Sequence, residues 1–199
     1  MIDTIIFDLG NVLIDFCWEK CFRKTLGLSG DTFERLANAT TRNETWNRND
    51  KGDLSDEEIL AEFISNDPGI EKEIRALWDN ISDVLEPFDY AGAWIRDLKK
   101  RGFKVYILSN FSRKAYTEGA DKLKFVKEAD GALISYEEKL IKPDPAIYEL
   151  LLKRYDITPE NAVFFDDRED NVEAAIKCGI NGVVFTSKDK AEEYIAGKS

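Results

Sequence analysis

Apolar residues gather in five short runs along the chain: 4–9 (TIIFDL), 104–109 (KVYILS), 131–135 (GALIS), 162–166 (AVFFD) and 182–186 (GVVFT). Most of these runs are almost continuously apolar, the texture of strands covered on both faces of a parallel sheet. Between them the spacing turns helical over 90–101, 144–155 and 170–178, with Gly102 and Gly179 as C-terminal stops to the first and last. A further helix over 113–128 is ragged. Strand and helix alternating in this way predict an α/β fold built on a doubly wound parallel sheet.

The stretch from 16 to 86 breaks the rhythm, with helical patterns and no convincing strand. Ser55-Asp56-Glu57-Glu58 reads as a capping box that opens a helix running to about Asn66. Residues 70–85 place apolar side chains at 70, 74, 77, 78, 81, 84 and 85, helical spacing throughout. Pro87 marks the return to the sheet. The expected organisation is therefore a core made of 1–15 and 87–199, with 16–86 inserted after the first strand as a helical cap over the strand tips. Trp78 and Trp94 sit at helical spacing and read as core. Trp46, Asn47, Arg48, Asp50 and Lys51, before the Gly52 turn, are candidates to line the cap's inner surface, although a solvated polar loop with Trp46 half buried is the more economical reading.

Composition removes several chemistries. With 199 residues, 43% hydrophobic and 12% aromatic, the chain can bury a full core. The formal net charge of −11 argues against nucleic-acid binding, and a site for phosphate would have to create its own positive field. There is no histidine, which excludes zinc–histidine sites, Ser-His-Asp and Cys-His triads and phosphohistidine chemistry. Proton transfer falls to carboxylates, lysine or tyrosine. Cys17, Cys21 and Cys178 form an odd, sparse set that fits reduced thiols packed as small hydrophobes. The first residues are strand-like without a basic leader, and no apolar stretch reaches 18 residues, so a cytoplasmic protein off the membrane is expected.

The candidate chemistry sits at the ends of the apolar runs. Asp8 follows Thr4-Ile5-Ile6-Phe7, and Asp166-Asp167 follow Ala162-Val163-Phe164-Phe165. Two like charges about 4 Å apart repel by roughly 4 kcal/mol at an effective dielectric near 20. A divalent cation between such carboxylates relieves that cost, and an all-oxygen site with room for phosphate suits Mg2+. Ser109-Asn110 ends the second run, and Lys142 lies in the loop after the third. In open α/β sheets these carboxyl-terminal strand ends are where ligands bind. Taken singly, each has an ordinary explanation: Lys142-Pro143 as a surface turn, Ser109-Asn110 as turn chemistry, the double aspartate as a helix cap beside a solvated acid. It is their joint occurrence that matters.

Phe7-Asp8-Leu9-Gly10-Asn11-Val12, Leu108-Ser109-Asn110, Lys142-Pro143 and Phe164-Phe165-Asp166-Asp167, with Asn171 downstream, resemble in order the motifs of the haloacid dehalogenase-like hydrolase superfamily. The wording of the first and last motifs is similar to the glucose-1-phosphatase-like branch and the related phosphatase domain of soluble epoxide hydrolase. The resemblance implies a Rossmann-like core with a small helical cap, and a Mg2+-dependent phosphatase acting on a small phosphorylated metabolite, with a sugar phosphate as first expectation. It implies Asp8 as nucleophile, forming an aspartyl-phosphate. It implies Ser109, Asn110 and Lys142 as holders of the phosphoryl group, with Lys142 also neutralising the nucleophile. For the metal it implies Asp8, Asp167, Asp166 through water, and the carbonyl of Gly10. Asn171 would orient the lysine or the loop after the fourth run.

One position departs from the pattern. Most phosphatases of that superfamily carry an aspartate two residues after the nucleophile as general acid and base, and here Gly10 stands there. That leaves open a haloacid dehalogenase, which needs no metal, and a weakly active member acting as a binding protein. A response-regulator receiver shares the residue types but places its acid pair after the first strand and has no such insert.

Overall fold

A computed structural model describes residues 1–198. Five strands, β1 (Thr4–Phe7), β4 (Lys104–Ser109), β5 (Gly131–Ile134), β6 (Ala162–Asp166) and β7 (Asn181–Val184), form one sheet in the order β5-β4-β1-β6-β7. Every pairing is parallel. β1 is central, and its Ile5, Ile6 and Phe7 are fully buried. Successive side chains alternate between faces. Ile5 and Phe7 therefore join Val105, Ile107, Val163 and Phe165 on one side, while Ile6 joins Tyr106, Leu108 and Phe164 on the other. The sheet is an α/β, Rossmann-like core, as expected. The chain leaves β1 for β4 on one side and returns to β6 on the other, so the strand order reverses beside β1 and opens a crevice at the carboxyl ends.

The helices of the sheet region are α5 (Ala91–Lys100), α6 (Arg113–Glu118), α7 (Pro145–Tyr155), α8 (Glu169–Lys177) and α9 (Lys188–Ala196). The ragged 113–128 pattern divides, because α6 stops at Gly119 and a 3-10 turn follows at Lys124–Glu128. A Cβ at Gly119 would stand 2.6 Å from Leu85 and 2.7 Å from the Ala115 carbonyl, so the tight stop needs glycine.

Between β1 and α5 the chain is helical: α1 (Gly30–Ala39), α2 (Glu44–Lys51), α3 (Asp56–Asn66) and α4 (Glu71–Asp79). The capping box at Ser55 and Glu58 forms with both of its hydrogen bonds. The apolar stripe of 70–85 runs through α4 and then tightens into a 3-10 turn at Ile81–Val84. Its side chains, with Phe22, Phe33, Phe63 and Trp78, are continuous with the Ile5 and Phe7 face of the sheet. Insert and sheet thus share one core. Two short strands absent from the sequence pattern, β2 (Ile14–Phe16) and β3 (Leu85–Pro87), pair antiparallel where the chain enters and leaves the helical stretch. Among the described residues no helix is long and apolar enough to cross a membrane.

The carboxyl end of α2 meets the sheet region at Gly52. Its φ is +74°, and a Cβ there would stand 2.8 Å from the Tyr136 carbonyl oxygen. Gly52→Ala is expected to lower stability by about 1–2 kcal/mol from the left-handed backbone alone, and by more if Tyr136 cannot yield. Urea unfolding of the variant measures it.

Candidate active site

β1, β4 and β6 end side by side, and each delivers a polar side chain to the crevice. Asp8 extends the ladder by one step, its N–H donating to the Phe165 carbonyl at 2.9 Å. One carboxyl oxygen accepts from the Leu9 N–H at 2.7 Å, which fixes the side chain. Asp8 is buried, and burial first, with the Asp166 charge behind it, pushes its carboxyl up to about 6 against the pull of Lys142.

Lys142 is the buried cation of the site, 3% exposed. Its ammonium contacts Asp8 at 2.9 Å and Asp166 at 2.6 Å, and donates to the Leu108 carbonyl at 3.0 Å. Three donors thus meet three acceptors. Burial works against the charge, but the two carboxylates hold it above its ordinary value. Its main chain is held as firmly: the Asn110 amide donates to the Lys142 carbonyl at 2.9 Å and accepts from the Lys142 N–H at 2.8 Å. The side chain of Asn110 is therefore committed to the lysine loop. Ser109 is buried at the end of β4, and its hydroxyl donates to the Asn110 carbonyl at 3.5 Å.

Asp166 is fully buried and surrounded by donors. Besides Lys142 it accepts from the Arg168 N–H at 2.8 Å and from the Asn171 amide at 3.1 and 3.0 Å on its two oxygens. Asn171 so orients Asp166, and through it Lys142. Asp167 is more open: the Asn11 amide donates to it at 2.8 Å, and its carboxyl is raised, chiefly by burial. One carboxylate oxygen from each of Asp8, Asp166 and Asp167 lies within 4.8 Å of the others.

These groups face a cavity of about 210 Å³ between the strand ends and the helical insert. From the sheet side Asp8, Gly10, Asn110, Lys142, Asp167 and Arg168 line it; from the insert side come Phe16, Trp46, Asn47 and Asp50. Trp46 packs on Phe16 with ring centroids 5.6 Å apart. The segment that reads as a polar loop is instead the helix α2, capped by the Asn43 side chain on the Thr45 N–H and stopped by left-handed Gly52. It divides the five candidates of that segment. Trp46, Asn47 and Asp50 face the cavity, whereas Arg48 binds Glu62 and Lys51 pairs with Asp53. Positions 46 and 50 are one helical turn apart, a signal available once α2 is read as a helix. Arg168, paired to Asp170 at 2.7 Å, is a lining cation that the sequence pattern did not single out.

Fold and crevice together define an α/β protein with a polar crevice at the carboxyl ends of its strands. The sequence model of haloacid dehalogenase-like hydrolases matches residues 2–179, and the chain belongs to that hydrolase family. It is 28% identical to a sesquiterpene phosphatase of Aspergillus oryzae over 91% of this chain and 88% of the relative. It is 26% identical to a D-ribitol-5-phosphate phosphatase of Bacteroides thetaiotaomicron, over 90% and 89% of the two chains. A haloacid dehalogenase-family enzyme of the same bacterium, solved with magnesium and inorganic phosphate, superimposes with a TM-score of 0.74 at 22% identity, covering 94% of this chain and 96% of that one. At that identity the likeness speaks for the fold.

Proposed function

We propose that the protein is a Mg2+-dependent phosphatase of small phosphorylated metabolites, acting through an aspartyl-phosphate on Asp8. The observation that carries this reading is charge. Three carboxylates, Asp8, Asp166 and Asp167, gather about two cations, Lys142 and Arg168. A phosphate dianion entering such a cavity needs a further positive charge, and the donor set is all oxygen, the set Mg2+ favours. Asp8, Asp167 and the Gly10 carbonyl would hold the ion. Asp166, its oxygens already taken by Lys142, Asn171 and Arg168, would act through water. When bound, the cation neutralises phosphoryl oxygens and favours in-line attack.

The chain's own residues supply the rest. Asp8 attacks phosphorus, the bond to the leaving oxygen breaks, and water later cleaves the acyl phosphate. Lys142 holds the Asp8 carboxylate in place and offers its charge to the phosphoryl oxygens. Ser109 ends β4 beside Asp8, and Asn110 fixes the Lys142 loop so that its own main-chain N–H is what it presents to phosphate. Residues 16–86 act as the cap that chooses the substrate, over a core of 1–15 and 87–199. A small cavity walled by Trp46, Asn47 and Asn11 suits a sugar phosphate, with an aromatic ring for its apolar face and amides for its hydroxyls. The relatives' phosphatase names agree with this chemistry. The free thiols of Cys17, Cys21 and Cys178 suit the reducing cytoplasm.

The test is a panel of sugar phosphates and p-nitrophenyl phosphate assayed with Mg2+ and with EDTA. Phosphate release is expected with Mg2+ and should fall by about 100-fold or more in EDTA. Turnover that survives chelation, or halide release from a 2-haloacid in its place, would overturn the reading.

A further inference from the structure

Breaking a phosphate monoester leaves an alkoxide on the departing alcohol unless a proton reaches the bridging oxygen. A positioned acid is worth about 10²–10⁴-fold in such a step. The titratable groups that line the cavity are Asp8, Asp50, Lys142, Asp167 and Arg168. Under the reading above Asp8 is the nucleophile, and Lys142 is committed to Asp8, Asp166 and the Leu108 carbonyl. Asp167 faces the cation site with Asn11 on its other side. Arg168 holds Asp170, and a guanidinium does not give up its proton. The chain has no histidine. Asp50 is left.

Its placement is apt. In-line attack puts the leaving oxygen on the far side of phosphorus from Asp8. Asp8 stands at a strand tip, and the cavity wall contributed by the insert carries Asp50. Asp50 is also anchored. Its main-chain carbonyl accepts from the buried Ser135 hydroxyl at 2.5 Å, and that hydroxyl accepts from the Phe111 N–H at 2.8 Å. The insert is thus tied to the β4 and β5 ends at the very residue that enters the cavity. The charged groups that face the carboxyl are Asp8, Lys142 and Arg168. Burial, with Asp8 adding to it, raises Asp50 from the ordinary 3.8 to about 8 despite both cations, which favours its protonated form.

We propose that Asp50 is the acid that protonates the leaving oxygen. As an Asp8 oxygen bonds to phosphorus, the P–O bond to the alcohol breaks, its electron pair stays on that oxygen, and the Asp50 proton completes the alcohol. The Asp50 carboxylate then takes a proton from the water whose oxygen displaces Asp8 from phosphorus, which restores both side chains. This rests on the phosphatase reading, and wild-type protein without Mg2+-dependent turnover would end that reading before Asp50 is at issue.

The experiment compares single-turnover release of the leaving group from p-nitrophenyl phosphate, whose nitrophenolate departs unaided, and from a hexose 6-phosphate, whose alkoxide does not. Asp50→Asn is expected to slow hexose release by about 10²–10⁴-fold and nitrophenolate release by less than about tenfold. Asp50→Glu should recover part of the hexose rate. Equal losses on both substrates would make Asp50 a substrate-positioning group, and no loss on either would make it a bystander; each overturns the proposal. Folding is checked by melting. A carboxyl raised on folding binds its proton more tightly in the folded state, so it stabilises less as pH climbs through about 8. Asp50→Asn should therefore melt at or above wild type at pH 9 without metal.

Discussion

Asp8→Asn is expected to abolish phosphate release, by about 10⁴–10⁶-fold in kcat, while the protein still folds. An amide oxygen cannot form the acyl phosphate, and the neighbouring carboxylates are otherwise engaged: Asp166 is enclosed by its donors, and Asp167 accepts from the Asn11 amide. The fold should survive because Lys142 keeps Asp166 and the Leu108 carbonyl. Burial already works against charge on Asp8, so a neutral isostere costs little. Phosphate release from p-nitrophenyl phosphate, paired with a thermal melt, reads both parts. Full turnover in a folded variant would remove Asp8 from the mechanism.

Lys142→Met should hurt both stability and activity. Removing the ammonium leaves Asp8 and Asp166 buried without a cation, and breaking a buried ion pair from one side costs about 3–5 kcal/mol. The loss should be largest at neutral and alkaline pH and should shrink as pH falls, because Asp8, already raised by burial, regains neutrality by taking up a proton. Mg2+ should restore part of the loss through binding to the folded state alone, an effect the wild type shows more weakly. Urea titrations at pH 5 and pH 8, with and without Mg2+, measure this. Equal stability losses at both pH values would show that packing, not charge, is what Lys142 supplies.

Much of this was legible in the chain because the strongest signals are local. β1 and β6 are apolar without interruption and then end abruptly in acid, which fixes both the strand and the position of its tip. The insert announces itself through the stripe at 70–85 and the Ser55 box. Other features have no such local mark. β2 and β3 have three residues each and exist only because they meet. α2 carries the sequence ETWNRNDK, whose polarity hides a helix that its cap, its glycine stop and its seat against Tyr136 make stable. Asn110 reads as a phosphate ligand in sequence, but its amide faces the Lys142 main chain, and that requires the two loops in space. Asp50 stands among the cap candidates in sequence, but its chemistry comes from what stands across the cavity.

The small ribbon of β2 and β3 has a consequence of another kind. It pairs Ile14 with Pro87 and Phe16 with Leu85, so the two ends of the helical insert leave the core side by side. Doubling the length of a loop costs only about 0.6 kcal/mol when its ends are already fixed together. A descendant of this chain can change the stretch between those ends without moving the tip of β1, provided the apolar face packed against Ile5 and Phe7 is kept. Diversification of substrate range can then proceed by exchange of whole parts at one doorway. A donor segment from a relative, joined at residues 16 and 85, would need to supply its own counterpart of Asp50.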